Sequence, residues 1–193
     1  MNEQRNEQKP LPMATAWRAV GRCVVTSARL LARRRVHLPR SRVGLGMRFA
    51  DGTSARVYRE TVVDRPAPEE PCVLIVEFRL RGVRGRGHAL FRWESLANTP
   101  LFVGFPGFVS KLWLAHDDHG FYRGVYEWDG VASARAYAQA LWRVLALVSE
   151  PASIHYQVLP GRRREELLAG AEPPDSAEPS AWWRPVGLAS VPA

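Results

Sequence analysis

The sequence predicts an α+β domain, on the basis of its composition and of the order of its elements. Of the 193 residues, 46% are hydrophobic and 24% are charged, which is usual for a globular chain long enough to bury one core. Apolar periodicity and turn signals over residues 72–160 predict the order β-α-β-β-α-β. That order is the split β-α-β of a ferredoxin-like domain. No apolar run approaches the roughly 18 residues that a bilayer-spanning helix needs.

The segment before this domain is predicted to hold one helix and one hairpin. Residues 1–12 are polar and are expected to be disordered. Over residues 14–35 the apolar side chains recur every three or four positions, which predicts a helix with one apolar stripe, made of Trp17, Val20, Val24, Ala28 and Leu31. Residues 43–63 contain two strand-like runs around Asp51-Gly52, a strong hairpin turn signal. Residues 13–64 therefore precede the main domain as a helix and a hairpin.

The main domain follows a proline-rich and acidic linker, RPAPEEP, at residues 65–71. Its expected elements are a strand over 72–81, a helix over 86–98, strands over 107–115 and 121–128, a helix over 131–148 and a strand over 153–159. Asp129 is a suitable N-cap for the second helix. We expect these elements to form one domain over residues 72–160.

The C-terminal segment, residues 161–193, is predicted to be a short helix followed by a disordered tail. The helix is expected over 163–169, and five prolines then fall within 173–192. Trp182 and Trp183 are unusual in such a tail, and they suggest an anchor on a surface such as that of a partner subunit.

The net charge of +8 belongs to one segment. Residues 13–50 hold nine arginines and no acid, whereas residues 51–193 sum to −1. The favoured interpretation is a helix docked on its own domain with a solvated basic face. There are two alternative roles for residues 14–35: binding to an anionic membrane surface, or targeting to an organelle. Nucleic-acid binding is disfavoured because no recognition motif accompanies the charge. Lys9 and Lys111 are the two lysines among the 27 basic residues.

The cysteines and the first residues favour a cytoplasmic protein. Cys23 and Cys72 are too few for a disulfide framework or a four-ligand zinc site. The opening MNEQRNEQKP lacks the pattern of a signal peptide. The sequence also contains no phosphate-binding P-loop, no nucleophile elbow and no dinucleotide fingerprint.

Three segments carry a resemblance to a known family. Residues 106–113 (PGFVSKLW), 124–128 (GVYEW) and 134–137 (ARAY) resemble the YdhR-like monooxygenases, whose ferredoxin-like domains pair into dimeric α/β barrels. The resemblance covers roughly residues 72–160. It implies a homodimer and a monooxygenase or related tailoring enzyme that acts on a hydrophobic aromatic or polyketide-like molecule without a cofactor. Relatives that degrade haem leave haem open as a ligand, but no residue of this sequence supports it.

Strand alternation predicts which side chains face away from the helices. A sheet of this topology has helices on one face, and in the implied barrel a second subunit covers the other. Leu112 and Leu114 are expected to face the helices. The residues expected on the opposite, open face are Glu77, Arg79, Lys111, Trp113 and His155. The strand over 121–128 is ambiguous: if Phe121 and Val125 pack on the helices, then Tyr122, Tyr126 and Trp128 also lie on the open face.

These residues form the predicted site. His155, Tyr126 or Arg79 would hydrogen-bond or deprotonate a phenolic group, because an electron-rich phenolate can react with oxygen without a cofactor. Arg79 or Lys111 would offset the anion that develops. The substrate would stack on Trp113 and the tyrosines, and the other contacts would come from Glu77, Tyr122 and Trp128. The alternative function is a dimeric module that binds a ligand or a partner without catalysis.

Each of these residues also has a structural interpretation. Glu77, Arg79 and Lys111 suit cross-strand ion pairs, and the aromatic residues suit the filling of a dimer interface. His155 suits a hydrogen-bonded structural role. A metal site at His116 and His119 in the turn HDDH is disfavoured, since four adjacent residues on a hairpin rarely converge on one ion.

Overall fold

The computed structural model describes residues 12–83, 99–170 and 181–189. In that part of the chain the helices are α1 (Met13–Ala32), α2 (Val131–Val148) and α3 (Arg164–Ala169). The strands are β1 (Val36–His37), β2 (Gly46–Phe49), β3 (Ser54–Val63), β4 (Pro71–Arg79), β5 (Phe108–Leu114), β6 (Phe121–Asp129), β7 (His155–Pro160) and β8 (Pro185–Ala189). The helix expected over residues 86–98 lies outside the described residues.

The described strands form one curled antiparallel sheet in the order β7-β4-β6-β5-β3-β2-β8, with β1 paired to the end of β3. The first four are the expected strands of the main domain in the order fourth, first, third, second, which agrees with a split β-α-β arrangement. Strand β3 makes the bend. Its start pairs with β2, its later part pairs with β5, and the register shifts between Val57 and Arg59. The molecule is therefore an α+β protein.

One face of the sheet packs on α1 and α2. The core there includes Leu74 and Val76 of β4, Trp128 of β6 and Tyr137 of α2. The alternation predicted for β4 is confirmed, since Leu74 and Val76 face the helices while Val73 and Ile75 face the other way. The second helix of the main domain forms at the expected residues.

Helix α1 buries a different stripe from the one predicted. Its buried residues are Ala16, Val20, Cys23 and Ser27, whereas Trp17 is 47% exposed. The reason is a close backbone approach, because a Cβ placed on Gly104 would lie 2.6 Å from the Ser27 nitrogen. Only small side chains fit such a contact, so α1 docks through its small residues and not through its large ones.

The other face of the sheet is covered by the chain itself, which corrects the expectation of an open face. Met47 and Phe49 of β2, Leu168 of α3 and the pair Trp182-Trp183 pack against the centre of the sheet. The homodimer and its barrel stay predictions. Among the described residues, the face that motivated them is covered by the hairpin, α3 and the two tryptophans.

The expectation of a disordered tail is wrong for residues 181–189. Strand β8 pairs with β2, from Gly46 opposite Ala189 to Phe49 opposite Pro185. The edge of β2 supplies unpaired backbone groups and the two tryptophans supply apolar area, so this segment gains enough to offset the entropy of ordering.

Asp129 is not the N-cap of α2, which also corrects the sequence prediction. Gly130 holds that position with φ 91°, and no side chain caps the helix. The Asp129 carboxylate instead accepts hydrogen bonds from the backbone nitrogens of Glu69 and Glu70 and from the Arg65 guanidinium. The side chain therefore fastens the linker to the end of β6. No helix within the described residues is long and apolar enough to cross a membrane.

Candidate active site

A cavity of about 260 Å³ lies between α1, α2 and the helix-facing side of the sheet. Its walls are mainly apolar because the helices and the sheet line it with side chains from the faces that they turn toward each other. The apolar lining comes from Val20 of α1, from Leu101, Phe102 and Phe105 before β5, and from Leu141, Val144 and Leu145 of α2. The sheet contributes Lys111, Trp113 and Tyr126 to the same cavity.

Lys111 brings a buried amine to this cavity. The residue is 6% exposed, and its Nζ lies 4.5 Å from the ring centroid of Tyr126 and 4.9 Å from that of Phe102. Within the described part of the chain, no ion pair to a carboxylate forms at Lys111. Burial lowers the pKa of the Lys111 amine well below its ordinary value, and the nearby Arg59 cation lowers it further. Its neutral form is therefore reached at a lower pH than in a solvated lysine.

The Lys111 side chain has room because residue 124 is a glycine. Gly124 pairs with Trp113 across β5 and β6. A Cβ on Gly124 would lie 2.7 Å from the Tyr126 ring and 3.1 Å from Lys111 Cε. Because Gly124 has no side chain, Lys111 and Tyr126 can both pack directly over its backbone and against each other. Sequence reasoning missed Gly124, although a glycine inside the apolar run FYRGVYEW is a signal of close approach.

Two hydrogen-bonded tyrosines, Tyr126 and Tyr137, also line the cavity. The Tyr137 hydroxyl donates to the Tyr126 oxygen at 3.2 Å, and both rings are buried. Burial raises the pKa of each phenol because it disfavours the phenolate. Both groups are therefore neutral at physiological pH. Since the Tyr126 oxygen already accepts a bond, its own proton is available to a ligand atom. Sequence reasoning had not identified Tyr137 as a site residue.

Arg59 of β3 packs on the Trp113 ring, which Lys111 also contacts. Its Cζ lies 3.7 Å from the centroid of the Trp113 ring, and the residue is buried. Burial lowers the pKa of Arg59 to about 10, so the guanidinium stays cationic at neutral pH. The Trp113 Nε1 donates to Thr61 Oγ1 at 3.1 Å, which holds the indole in place. Arg59 was not among the predicted site residues either.

Three of the predicted site residues, Lys111, Trp113 and Tyr126, therefore meet at the cavity, on the face opposite to the one expected. The predicted alternation of β5 is reversed, because Leu112 faces β2 and α3. In β6, where both arrangements were open, Val125 also faces that side, so the arrangement with Val125 toward the helices does not form. Apolar side chains occupy both faces of these strands, so the parity of hydrophobic residues does not distinguish the two sides.

Trp128 and Tyr122 also lie on the helix-facing side, but they do not line the cavity. The Trp128 ring packs 4.8 Å from the ring of Tyr137, between centroids, and is fully buried. Tyr122 stacks on Phe78 with a centroid separation of 5.8 Å. Both residues are parts of the packed core, so their predicted contact with a substrate has no geometric support.

Glu77 and His155 lie on the opposite face, as the alternation predicted, and therefore away from the cavity. His155 Nδ1 is 3.5 Å from Glu77 Oε1, and its ring lies 6.2 Å from that of Trp182. Arg79 is partly exposed at the end of β4 and pairs with Glu150 at 2.5 Å. The structure thus does not bring His155, Tyr126 and Arg79 together.

A buried arginine organises the opposite face. Arg123 contacts Asp51 at 2.8 Å, Glu77 at 2.9 Å and Asp117 at 3.1 Å, and it donates to the Thr53 hydroxyl. The side chain is 1% exposed. This network ties the turn of the β2-β3 hairpin to the centre of the sheet. Sequence reasoning had not paired these residues.

The turn HDDH is shaped by the same network. Asp117 accepts hydrogen bonds from the backbone nitrogens of His119 and Phe121 as well as from Arg123. The His116 ring lies 5.5 Å from that of Tyr122. Within residues 12–83, 99–170 and 181–189, no group of three or more candidate metal ligands comes together.

Comparisons with known proteins leave the family open. No protein-family model and no curated protein matches the chain, so the resemblance to YdhR-like monooxygenases stays a prediction. A similar solved structure is an uncharacterized ferredoxin-fold protein from Listeria monocytogenes 4b F2365, described as related to antibiotic biosynthesis monooxygenases. It is 12% identical, with a TM-score of 0.39, and the match covers 58% of this chain and 66% of that one, just under two thirds. At that distance the likeness assigns no activity to this chain.

Proposed function

We propose that the protein binds a small aromatic or polyketide-like molecule in the cavity between α1, α2 and the sheet, and that it oxygenates this molecule without a cofactor. The observation that supports this proposal is an apolar cavity in which a buried amine meets two neutral phenols. An apolar cavity of about 150 Å³ is large enough for benzene in an engineered protein. The 260 Å³ available here suits a ligand of roughly one or two rings.

Apolar contacts supply most of the affinity in this proposal. Phe102, Phe105 and Val144 face the cavity, and each Å² of apolar area that they remove from water contributes about 25 cal/mol. Lys111 and Tyr126 lie at the sheet side of the same space and orient the polar atom of the ligand. The ligand is thus a hydrophobic ring system with one oxygen directed at the sheet.

Lys111 is the proposed base. Its neutral amine takes a proton from a phenolic or enolic hydroxyl, and the ammonium that forms stays beside the new anion. Tyr126 donates a hydrogen bond to the anionic oxygen. The electron-rich anion then reacts with O₂ directly. When a CH₂ group becomes a carbonyl, one oxygen atom of O₂ remains on carbon and the other leaves as water, so O₂ accepts the four electrons that carbon loses.

This proposal redistributes the roles predicted from the sequence. Tyr126 keeps its hydrogen-bonding role, and Trp113 keeps its place at the ligand. Lys111 becomes the base in place of His155, which lies on the other face of the sheet. Arg79 is assigned to its ion pair with Glu150.

The experiment is a binding and oxygen-consumption assay with phenols, naphthols and two-ring ketones that carry an enolisable CH₂ group. Val144→Phe fills the cavity and is expected to abolish binding. Val25→Phe is the matched control, since Val25 is 54% exposed on α1 and does not line the cavity. Equal binding by both variants would exclude this cavity as the site. Binding by the wild type without oxygen consumption would favour the alternative of a non-catalytic module.

A further inference from the structure

We propose that Lys111 forms an imine with aldehydes and ketones that enter the cavity, so that the cavity is a covalent site for carbonyl compounds. The inference rests on the proposed binding of ligands in the cavity, and it is independent of the oxygenation step. The ligand class is an uncharged aromatic aldehyde or aryl ketone of one or two rings, because the lining is apolar and the volume is small.

The surroundings of Lys111 are those of a neutral amine. A lysine this deeply buried is normally held as an ammonium by a carboxylate. Here no carboxylate pairs with Nζ among the described residues, and Arg59 is a cation packed on the same Trp113 ring that Nζ contacts. A desolvated lysine beside a second cation has a nucleophilic amine. The low pKa of Lys111 agrees with this geometry.

The position of the amine is also restricted. The Lys111 stem crosses Gly124, where a Cβ would lie 3.1 Å from Cε, and its end meets an indole that is fixed by the hydrogen bond to Thr61. The side chain therefore needs little further ordering to present Nζ to the cavity. Such preorganisation favours attack on a carbonyl carbon held in the same space.

The reaction is a condensation and needs no oxidant. The Lys111 lone pair attacks the carbonyl carbon, a C–N bond forms, and the amine transfers a proton to the oxygen to give a carbinolamine. The C–O bond then breaks, the second amine proton leaves with the hydroxyl as water, and a C=N bond remains. Tyr126, whose oxygen accepts from Tyr137, relays that second proton: it donates its own proton to the departing hydroxyl and takes up the proton released from nitrogen, so no net proton is gained or lost. The apolar lining disfavours hydrolysis of the imine.

Reductive trapping tests the proposal. The full-length protein is incubated at pH 7 with 2-naphthaldehyde and cyanoborohydride, and the adduct is located by peptide mass spectrometry. Lys9 and the α-amino group are internal references, since Lys9 is the other lysine of the chain. We expect Lys111 to be modified at least about tenfold faster than Lys9, because each unit of lowered pKa raises the neutral fraction tenfold. This preference should vanish in guanidinium chloride.

Two variants and one ligand complete the design. Lys111→Met removes the amine at similar volume and is expected to eliminate the adduct, while Tyr126→Phe slows its formation with binding retained. Naphthalene has no carbonyl group, so its binding measures the affinity of the cavity for an aromatic ligand without imine formation. Binding of naphthalene with no preference for Lys111 would overturn the imine and leave the proposed function intact. Failure of naphthalene to bind would overturn both.

Discussion

Lys111 Nζ lies 3.1 Å from the centroid of the Trp113 ring, two residues further along the same strand. Residues two apart on a strand share a face, so this contact follows from the pleat of β5. Arg59 reaches the same indole from the neighbouring strand at 3.7 Å. Two basic side chains thus pack on one ring, and desolvation together with the Arg59 cation lowers the pKa of Lys111. This relationship makes the amine chemically distinct from an ordinary surface lysine.

Tyr126→Phe and His155→Gln should separate the two faces of the sheet. Tyr126→Phe removes the hydrogen bond to the ligand oxygen, so the rate of any oxygenation should fall by about 10²-fold or more. His155→Gln should leave both ligand affinity and rate unchanged, because His155 lies on the face that Trp182 covers. Steady-state oxygen consumption measures both effects. A larger loss for His155→Gln than for Tyr126→Phe would contradict the placement of the site.

Lys111→Met should be more stable than the wild type at pH 7. A folded-state pKa below the unfolded value means that the native protein binds fewer protons, so wild-type stability rises with pH between these two values. The advantage of the variant should therefore shrink with rising pH, by about 1.4 kcal/mol per unit while the pH lies between the two pKa values. Urea denaturation at pH 7, 8 and 9 measures the difference. An advantage that stays constant throughout would mean that Lys111 does not titrate in this interval.

Gly124→Ala should disturb the site and lower the stability. The new Cβ would lie 2.7 Å from the Tyr126 ring, and overpacking of this kind costs about 1–3 kcal/mol. The preference of carbonyl reagents for Lys111 should decrease as well. Gly21→Ala is the matched control, because nothing lies within 4 Å of that position on α1, and alanine there should stabilise the helix by up to about 1 kcal/mol. Equal stability changes for both glycines would argue against the close approach at β6.

Removal of residues 181–193 should destabilise the protein. The truncation deletes β8 and uncovers Met47 and Phe49, which pack in the same cluster as Trp182 and Trp183. Trp182 and Trp183 are half-buried, and burial of a large apolar side chain contributes about 1.5–3 kcal/mol, so the melting temperature should drop by several degrees. A shorter truncation that removes residues 190–193 and keeps β8 is the control. Equal melting temperatures for the two truncations would show that the tail does not contribute to the core.

The sequence by itself determined most of the individual elements. The strands of the main domain, its second helix and the hairpin around Asp51-Gly52 form within about three residues of the expected bounds, because periodicity and turn chemistry are local signals. The alternation of β4 and β7 was also predictable, since Glu77 and His155 mark one face as polar.

Tertiary structure alone decided which sides the remaining residues face. Both faces of β5 and β6 are covered, one by helices and the other by the hairpin, α3 and residues 181–189. Apolar residues therefore occur on both faces, and their alternation does not indicate which face meets the helices. The buried stripe of α1 depends on a contact with Gly104, some 80 positions along the chain, and local periodicity does not register such a contact. For the same reason the meeting of Lys111, Tyr126 and Tyr137 at one cavity is a property of the folded chain, because each comes from a separate element and only packing brings them together.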